Sequence, residues 1–254
     1  MNLPKRSRLK IKANMKIYCK LTDSTEYNQF CNLVNGIYTL KISRNFEYWY
    51  YDLCDLIDFY KSSEVALDLD IEQSEINSAR ELYGNHKFNE KFLREYETKV
   101  LVHSTPRENV NSILNDNALK SWNVCKTEKF DWEEEPIGAL LGDIADFSNY
   151  VMLSTLFQNS EIVTASKQKH EINIDYEQTY PPGARFYLDG ERLAADGLLL
   201  RDGEHIKVKD CIPFDKYLIW YSTPERLKID KSSTPKEFYE LSNNRFFELY
   251  PQYK

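Results

Sequence analysis

No CxxC pair occurs in this chain, and its five cysteines (Cys19, Cys31, Cys54, Cys125 and Cys211) are scattered and odd in number. That excludes a disulfide framework and a spaced zinc site as organising devices; no metal is expected, and a reducing, cytoplasmic setting is. No apolar run approaches the roughly 18 residues of a membrane span. The first residues lack the apolar stretch of a secretory signal, so a soluble chain is expected. Basic charge is in deficit, with a formal net charge of -7 at pH 7. That argues against non-specific coating of nucleic acid while leaving room for a local basic patch. Internal repeats and low-complexity tracts are absent too.

What is present is enough apolar material for a packed core. Hydrophobic residues make up 42% and aromatics 14% of 254 residues, which suits one large domain or one domain plus an appendage. Residues 1–16 carry Lys5, Arg6, Arg8, Lys10, Lys12 and Lys16 with no acid among them. They read either as an arm for nucleic acid or a partner, or as a frayed tail ahead of an internal start at Met15. Residues 16–40 mix strand-like and helix-like pieces. The spacing of Phe46, Trp49, Tyr50, Leu53, Leu56, Ile57 and Tyr60 predicts a helix that buries one face. A base-stacking role for these rings is opposed by Glu47, Asp52, Asp55 and Asp58, which would repel phosphate. Residues 64–83 are acidic and helical in pattern, and 88–97 read as a further helix. Residues 1–97 are therefore expected to form a mainly helical region with a basic tail, bracing the rest.

From residue 99 the pattern turns to short strands: 149–154, 161–165, 171–175, 185–188, 198–201, 204–209 and 217–221. Residues 120–146 are long for a loop, and a short helix is expected at 137–141. Thr234, Pro235 and Glu237 spell a capping box, so a last helix should run to about Leu249. The expected architecture is α+β, with a core at 98–225 built on a twisted sheet or split sandwich and a closing helix at 226–254.

Two stretches carry candidate chemistry. Residues 100–119, VLVHSTPRENVNSILNDNAL, read as a buried strand ending at His103 and turning into a helix. Thr105 is the expected N-cap, Pro106 the first helical residue and Glu108 the capping-box partner. Such a turn either is plain structure or offers a helix N-terminus to a polar or anionic ligand. Residues 201–213, RDGEHIKVKDCIP, open with the Asp202-Gly203 turn. Alternation puts Glu204, Ile206 and Val208 on one face and His205, Lys207 and Lys209 on the other. Glu204 then lies either at a wet sheet edge or in a cleft floored by apolar residues. In a cleft, its carboxylate suits a developing cation such as an oxocarbenium ion.

The run HSTPRENVNSIL resembles the opening motif of the ADP-ribosyltransferase superfamily. It is closest to the DarT-type nucleic-acid ADP-ribosyltransferases, with His103, Thr105, Asn109, Val110, Ser112, Ile113 and Leu114 on the pattern. Residues 183–219 are similar to the C-terminal half of the RNA 2'-phosphotransferase (KptA-like) branch of the same superfamily. The two stretches stand in the required chain order and span residues 98–221, about half the chain.

The resemblance implies an ADP-ribosyltransferase-like split β-sandwich and NAD as co-substrate. It implies a catalytic triad of His103, Tyr150 and Glu204. His103, Ser104, Thr105, Asn109 and Tyr150 would line the cofactor site. Arg185 would stand in for the arginine the DarT branch adds, with Lys167 and Lys126 as substitutes. The expected function is mono-ADP-ribosylation of nucleic acid, RNA or single-stranded DNA, by a toxin or phage-defence effector with an antitoxin partner. Lys207 and Lys209 read either as guides for a polynucleotide or as plain solvated charges. RNA 2'-phosphotransfer, or a catalytically inactive binding module of the same fold, are the alternatives. Tyr150 and Met152 stand where the phosphotransferase branch often has histidine, which favours ADP-ribosyl transfer.

Overall fold

A computed structural model describes residues 16–24, 29–34, 36–61, 65–85, 91–128, 144–157, 159–169 and 177–254. The expectations for residues 1–15, the helix at 137–141 and the strand at 171–175 lie outside these. The described chain is mixed α/β, and none of its helices is long and apolar enough to cross a membrane.

The N-terminal region is not mainly helical. Strands β1 (Lys16–Thr22), β2 (Gln29–Val34), β3 (Ile37–Ser43) and β4 (Ala66–Asp70) form one sheet in the order β2-β3-β1-β4. β1 runs parallel to both β3 and β4. Period-two alternation explains it: Ile17, Cys19 and Leu21 of β1 and Tyr38, Leu40 and Ile42 of β3 are all buried. The expected helix at 64–83 is a strand followed by α2 (Gln73–Asn85). Its acids misled, because Asp68 and Asp70 are edge charges of a strand, taken up by Lys16 and by the Tyr18 hydroxyl. Helix α1 (Trp49–Lys61) forms as its spacing predicts and buries Tyr50, Tyr51, Leu53, Leu56 and Tyr60. Residues 91–97 run as turns instead of the expected helix. There the buried Arg94 pairs with Asp55, and the buried Glu97 takes Arg201 at 2.5 Å.

The second half holds β5 (Val100–Pro106), α3 (Arg107–Asp116), β6 (Ala118–Lys120), α4 (Trp122–Glu128), β7 (Tyr150–Leu153) and α5 (Asn159–Lys169). There follow β8 (Pro182–Asp189), β9 (Leu199–Arg201), β10 (Ile206–Lys209), β11 (Cys211–Pro213), β12 (Leu218–Ser222) and a long closing helix, Pro235–Leu249. Two antiparallel three-stranded sheets result, β12-β8-β5 and β7-β10-β9, beside a β11-β6 pair. Among the described residues they are joined by one bridge, where Val102 and Ser154 exchange backbone bonds of 2.8 and 2.9 Å. Leu101, Phe186 and Leu188 from one sheet and Val151, Leu153 and Val208 from the other share a core.

Three further expectations are corrected. Residues 161–165 lie in helix α5, where Glu161 turns inward to meet Arg185, a tertiary partner that no local pattern announces. Thr105 does not cap α3. It pairs with Ala184 inside β5, and Pro106 is the N-cap with no side-chain bond. The strand extends because Gly183 lets β8 approach closely: a Cβ there would meet the Thr105 carbonyl oxygen at 2.2 Å. Finally, Lys207 neither is solvated nor faces a polynucleotide, being fully buried. The N-terminal unit covers the face of β10 that alternation assigns to water: Phe59 of α1 lies over the Lys207 ammonium.

Candidate functional site

The site candidates gather where β7 and β10 meet the N-terminal unit. Gly203, at φ +92°, turns the chain ahead of β10 and packs on α1, where a Cβ would lie 2.6 Å from the Asp52 carbonyl oxygen. Glu204 therefore precedes the strand instead of opening it. Its Oε2 accepts a hydrogen bond from the Tyr38 hydroxyl of β3 at 3.0 Å and lies 3.2 Å from His205 Nε2. The carboxylate keeps partial solvent exposure, 23% of its side chain.

Asp202 organises the turn from below. Its Oδ1 accepts the backbone N–H of His205 at 2.8 Å and of Glu204 at 3.2 Å, and lies 3.2 Å from His205 Nδ1. Its Oδ2 takes the Lys207 ammonium. Three ring faces enclose that ammonium, Phe59 at 3.9 Å, Tyr150 at 4.6 Å and Phe147 at 5.1 Å from their centroids. Two carboxylates, a histidine and a lysine thus share one pocket at the junction of the two halves.

The electrostatics follow from this crowding. Burial alone would lower the pKa of His205, but Glu204 and then Asp202 more than reverse that, with Lys207 opposing, and it is pushed up to about 9. Burial would raise Asp202, yet His205 and Lys207 hold it well below the usual carboxylate range. At neutral pH His205 is an imidazolium between two carboxylates.

His103 has the opposite character. Burial lowers its pKa to about 4, against the support of the Met152 carbonyl and with Lys167 adding to the lowering. Its ring Nδ1 is 2.9 Å from that carbonyl oxygen, which only accepts, so Nδ1 carries the proton and Nε2 is left as an acceptor. Met152 is the register partner of Lys207, so β7 ties His103 to the Glu204 pocket through backbone.

The other sequence candidates divide. Tyr150 belongs to the pocket, its ring against Lys207 and Phe59. Thr105 is buried on the same face of β5 as His103. Asn109 is exposed on α3. Ser104 lies on the opposite face of β5 from His103 and bonds Ser160 and Glu161. Arg185 is fully buried, bound to Glu161 and Ser160 at 3.0 and 2.9 Å. Both side chains of that pair are closed off from solvent. Of its two substitutes, Lys126 lies over Trp122, whereas Lys167 acts on His103.

Sequence reading missed Asp202, His205 and Tyr38. The Asp-Gly turn was the available signal for the first two; Tyr38 carries no local sign at all. The space between Tyr38, Tyr60, Phe147 and the Asp202-to-His205 turn is a cavity of about 10 Å³. That is room for roughly one water, so any larger ligand must reach Glu204 from its exposed side. Compared with protein-family models, curated proteins and solved structures, the chain finds no match in any of the three.

Proposed function

We propose that this chain is an NAD-dependent mono-ADP-ribosyltransferase that modifies nucleic acid, RNA or single-stranded DNA, as a toxin or phage-defence effector. The observation that carries the reading is the fixed carboxylate of Glu204, anchored at a sheet end by Tyr38 and His205 while still reaching solvent. Cleaving the glycosidic bond between nicotinamide and ribose builds positive charge at the anomeric carbon. A carboxylate already oriented there stabilises the transition state more than the ground state. Neutral His103, with Nε2 as acceptor, suits a ribose hydroxyl. Tyr150 offers a ring for nicotinamide, and Lys167 replaces Arg185 as the basic group for the pyrophosphate. Two three-stranded antiparallel sheets, bridged at Val102 and Ser154, are compatible with a split β-sandwich. An antitoxin that neutralises the enzyme and a cytoplasmic location belong to the same reading.

The small cavity beside Glu204 favours one other reading, an inactive binding module of the same fold. One experiment separates them: wild type and Glu204→Gln are incubated with labelled NAD and, in turn, RNA, single-stranded DNA and cell protein. The expected result is label on nucleic acid with wild type and a loss of about a hundredfold or more in the variant. Label on protein alone contradicts the acceptor class, and no turnover with either form supports the binding module.

A further inference from the structure

We infer that His205, oriented by Asp202, and Tyr38, reaching over from the N-terminal sheet, are positioning residues that clamp the Glu204 carboxylate, so that the N-terminal unit completes the site. The catalytic part of this inference rests on the ADP-ribosyltransferase reading; the clamp itself does not.

Three geometric facts carry it. Both groups converge on the same oxygen, Oε2 of Glu204, the hydroxyl at 3.0 Å and the imidazole Nε2 at 3.2 Å. The imidazole is itself held, since Asp202 binds its Nδ1 and its backbone N–H, and the Phe147 ring meets it edge-on at 4.8 Å. Asp202 is in turn fixed by Lys207, which α1 covers through Phe59. The order of support is therefore α1 and β3 onto the turn, and the turn onto Glu204. A flexible glutamate at the head of a short strand would otherwise sample several rotamers, and holding it in one removes that cost from the reaction.

The protonation state of His205 decides whether the clamp is closed. With Nδ1–H given to Asp202, the cation also presents an N–H at Nε2 to Glu204. The neutral ring presents a lone pair there, which repels the carboxylate. The groups facing His205 are Asp202 and Glu204 on its own turn, Lys207 on β10, Tyr38 on β3 and Tyr60 on α1. Asp146, ahead of β7, acts on Tyr60 and Tyr150 of the same pocket. Burial, followed by the carboxylates of Asp202, Asp146 and Glu204, keeps Tyr60 protonated well above its ordinary value, so it does not titrate alongside the histidine. An alkaline limb in the rate is the signature of the opening clamp.

The test uses the full chain and two readouts. The first is the NMR titration of the His205 ring, assigned by its loss in His205→Gln. The expected midpoint is clearly above the ordinary histidine value, falling in Glu204→Gln; a midpoint near 6.5 that ignores Glu204→Gln overturns the clamp. The second is NAD turnover by Tyr38→Phe, His205→Ala and His205→Gln. Tyr38→Phe and His205→Ala should lower kcat about tenfold with KM within about twofold of wild type. His205→Gln keeps a donor at the Nε2 position, so it should restore much of kcat and abolish the alkaline limb. Tyr38→Phe removes one hydroxyl and is expected to fold, which keeps the test sound if His205→Ala does not. Unchanged kcat in Tyr38→Phe and His205→Ala, with the alkaline limb intact in His205→Gln, would overturn the catalytic role. If wild type turns over no NAD at all, the transferase reading fails, and the histidine titration alone then decides whether the clamp exists.

Discussion

His103 on β5 and His205 in the turn ahead of β10 carry pKa shifts of opposite sign, so together they set a pH window for stability. The pKa of His103 is lowered by burial to about 4, from 6.5. Its contribution is complete above 6.5 and is lost as pH falls toward 4, because the unfolded chain takes up the proton first. The pKa of His205 is raised to about 9, from 6.5. Its contribution is complete below 6.5 and is lost as pH rises through 9. Thermal melting of wild type should therefore decline on both sides of about pH 6.5. His205→Gln should flatten the alkaline decline and His103→Gln the acid one above pH 5, a boundary set roughly by where carboxylates begin to titrate. Equal slopes for wild type and His205→Gln between pH 7 and 9, read by calorimetry at intervals of roughly half a pH unit, would contradict the assignment.

At the scale of elements, one motif written twice has two fates. Thr-Pro-x-Glu occurs at Thr105 and at Thr234. At Thr234 the box forms: its Oγ1 accepts from the Glu237 N–H at 3.1 Å, and Glu237 Oε2 accepts from the Thr234 N–H at 2.9 Å. At Thr105 the same letters continue a strand, because β8 comes close enough at Gly183 to keep the ladder going. Thr234→Ala should cost about 1 kcal/mol and lower the melting temperature by a few degrees, measured by denaturant unfolding and calorimetry. The closing helix depends on that start: Phe246 stacks on Tyr187 at 4.3 Å behind β8, and Asn243 accepts the Tyr187 hydroxyl at 2.9 Å. A stability loss with no change in NAD turnover would separate this element from the site.

For the whole molecule, the junction between the halves is charged, and its two central ions are not equivalent. Asp202 would keep His205 and two backbone N–H groups if Lys207 were removed. Lys207 would keep only ring faces among the contacts described above if Asp202 were removed. Asp202→Ala should therefore destabilise the fold by about 3–5 kcal/mol, and Lys207→Met by distinctly less. Equilibrium unfolding checks the order; a larger loss in Lys207→Met would mean that the ammonium and not the carboxylate organises the turn. Both variants should loosen α1 from the Asp202-to-His205 turn, visible as faster amide exchange along α1.

Local pattern alone determined α1, the capped final helix, the strands read at 149–154, 185–188, 198–201 and 217–221 and the turn at Asp202-Gly203, because each depends on residues within a few positions of one another. The apolar spacing of α1 and the reciprocal bonds of Thr234 and Glu237 need no distant partner. Tertiary structure decided the rest. Whether acids mark a helix or a strand edge was settled at Asp68 by Lys16, 52 positions away in sequence. Whether Lys207 is wet or buried was settled by Phe59 on another element, and the burial of Arg185 was settled by Glu161. Glu204 was legible as a candidate, but its partners were not, because Tyr38 lies 166 residues from it in the chain. Charges and rings act through space over a few ångströms, and only the folded chain fixes which of them are that close.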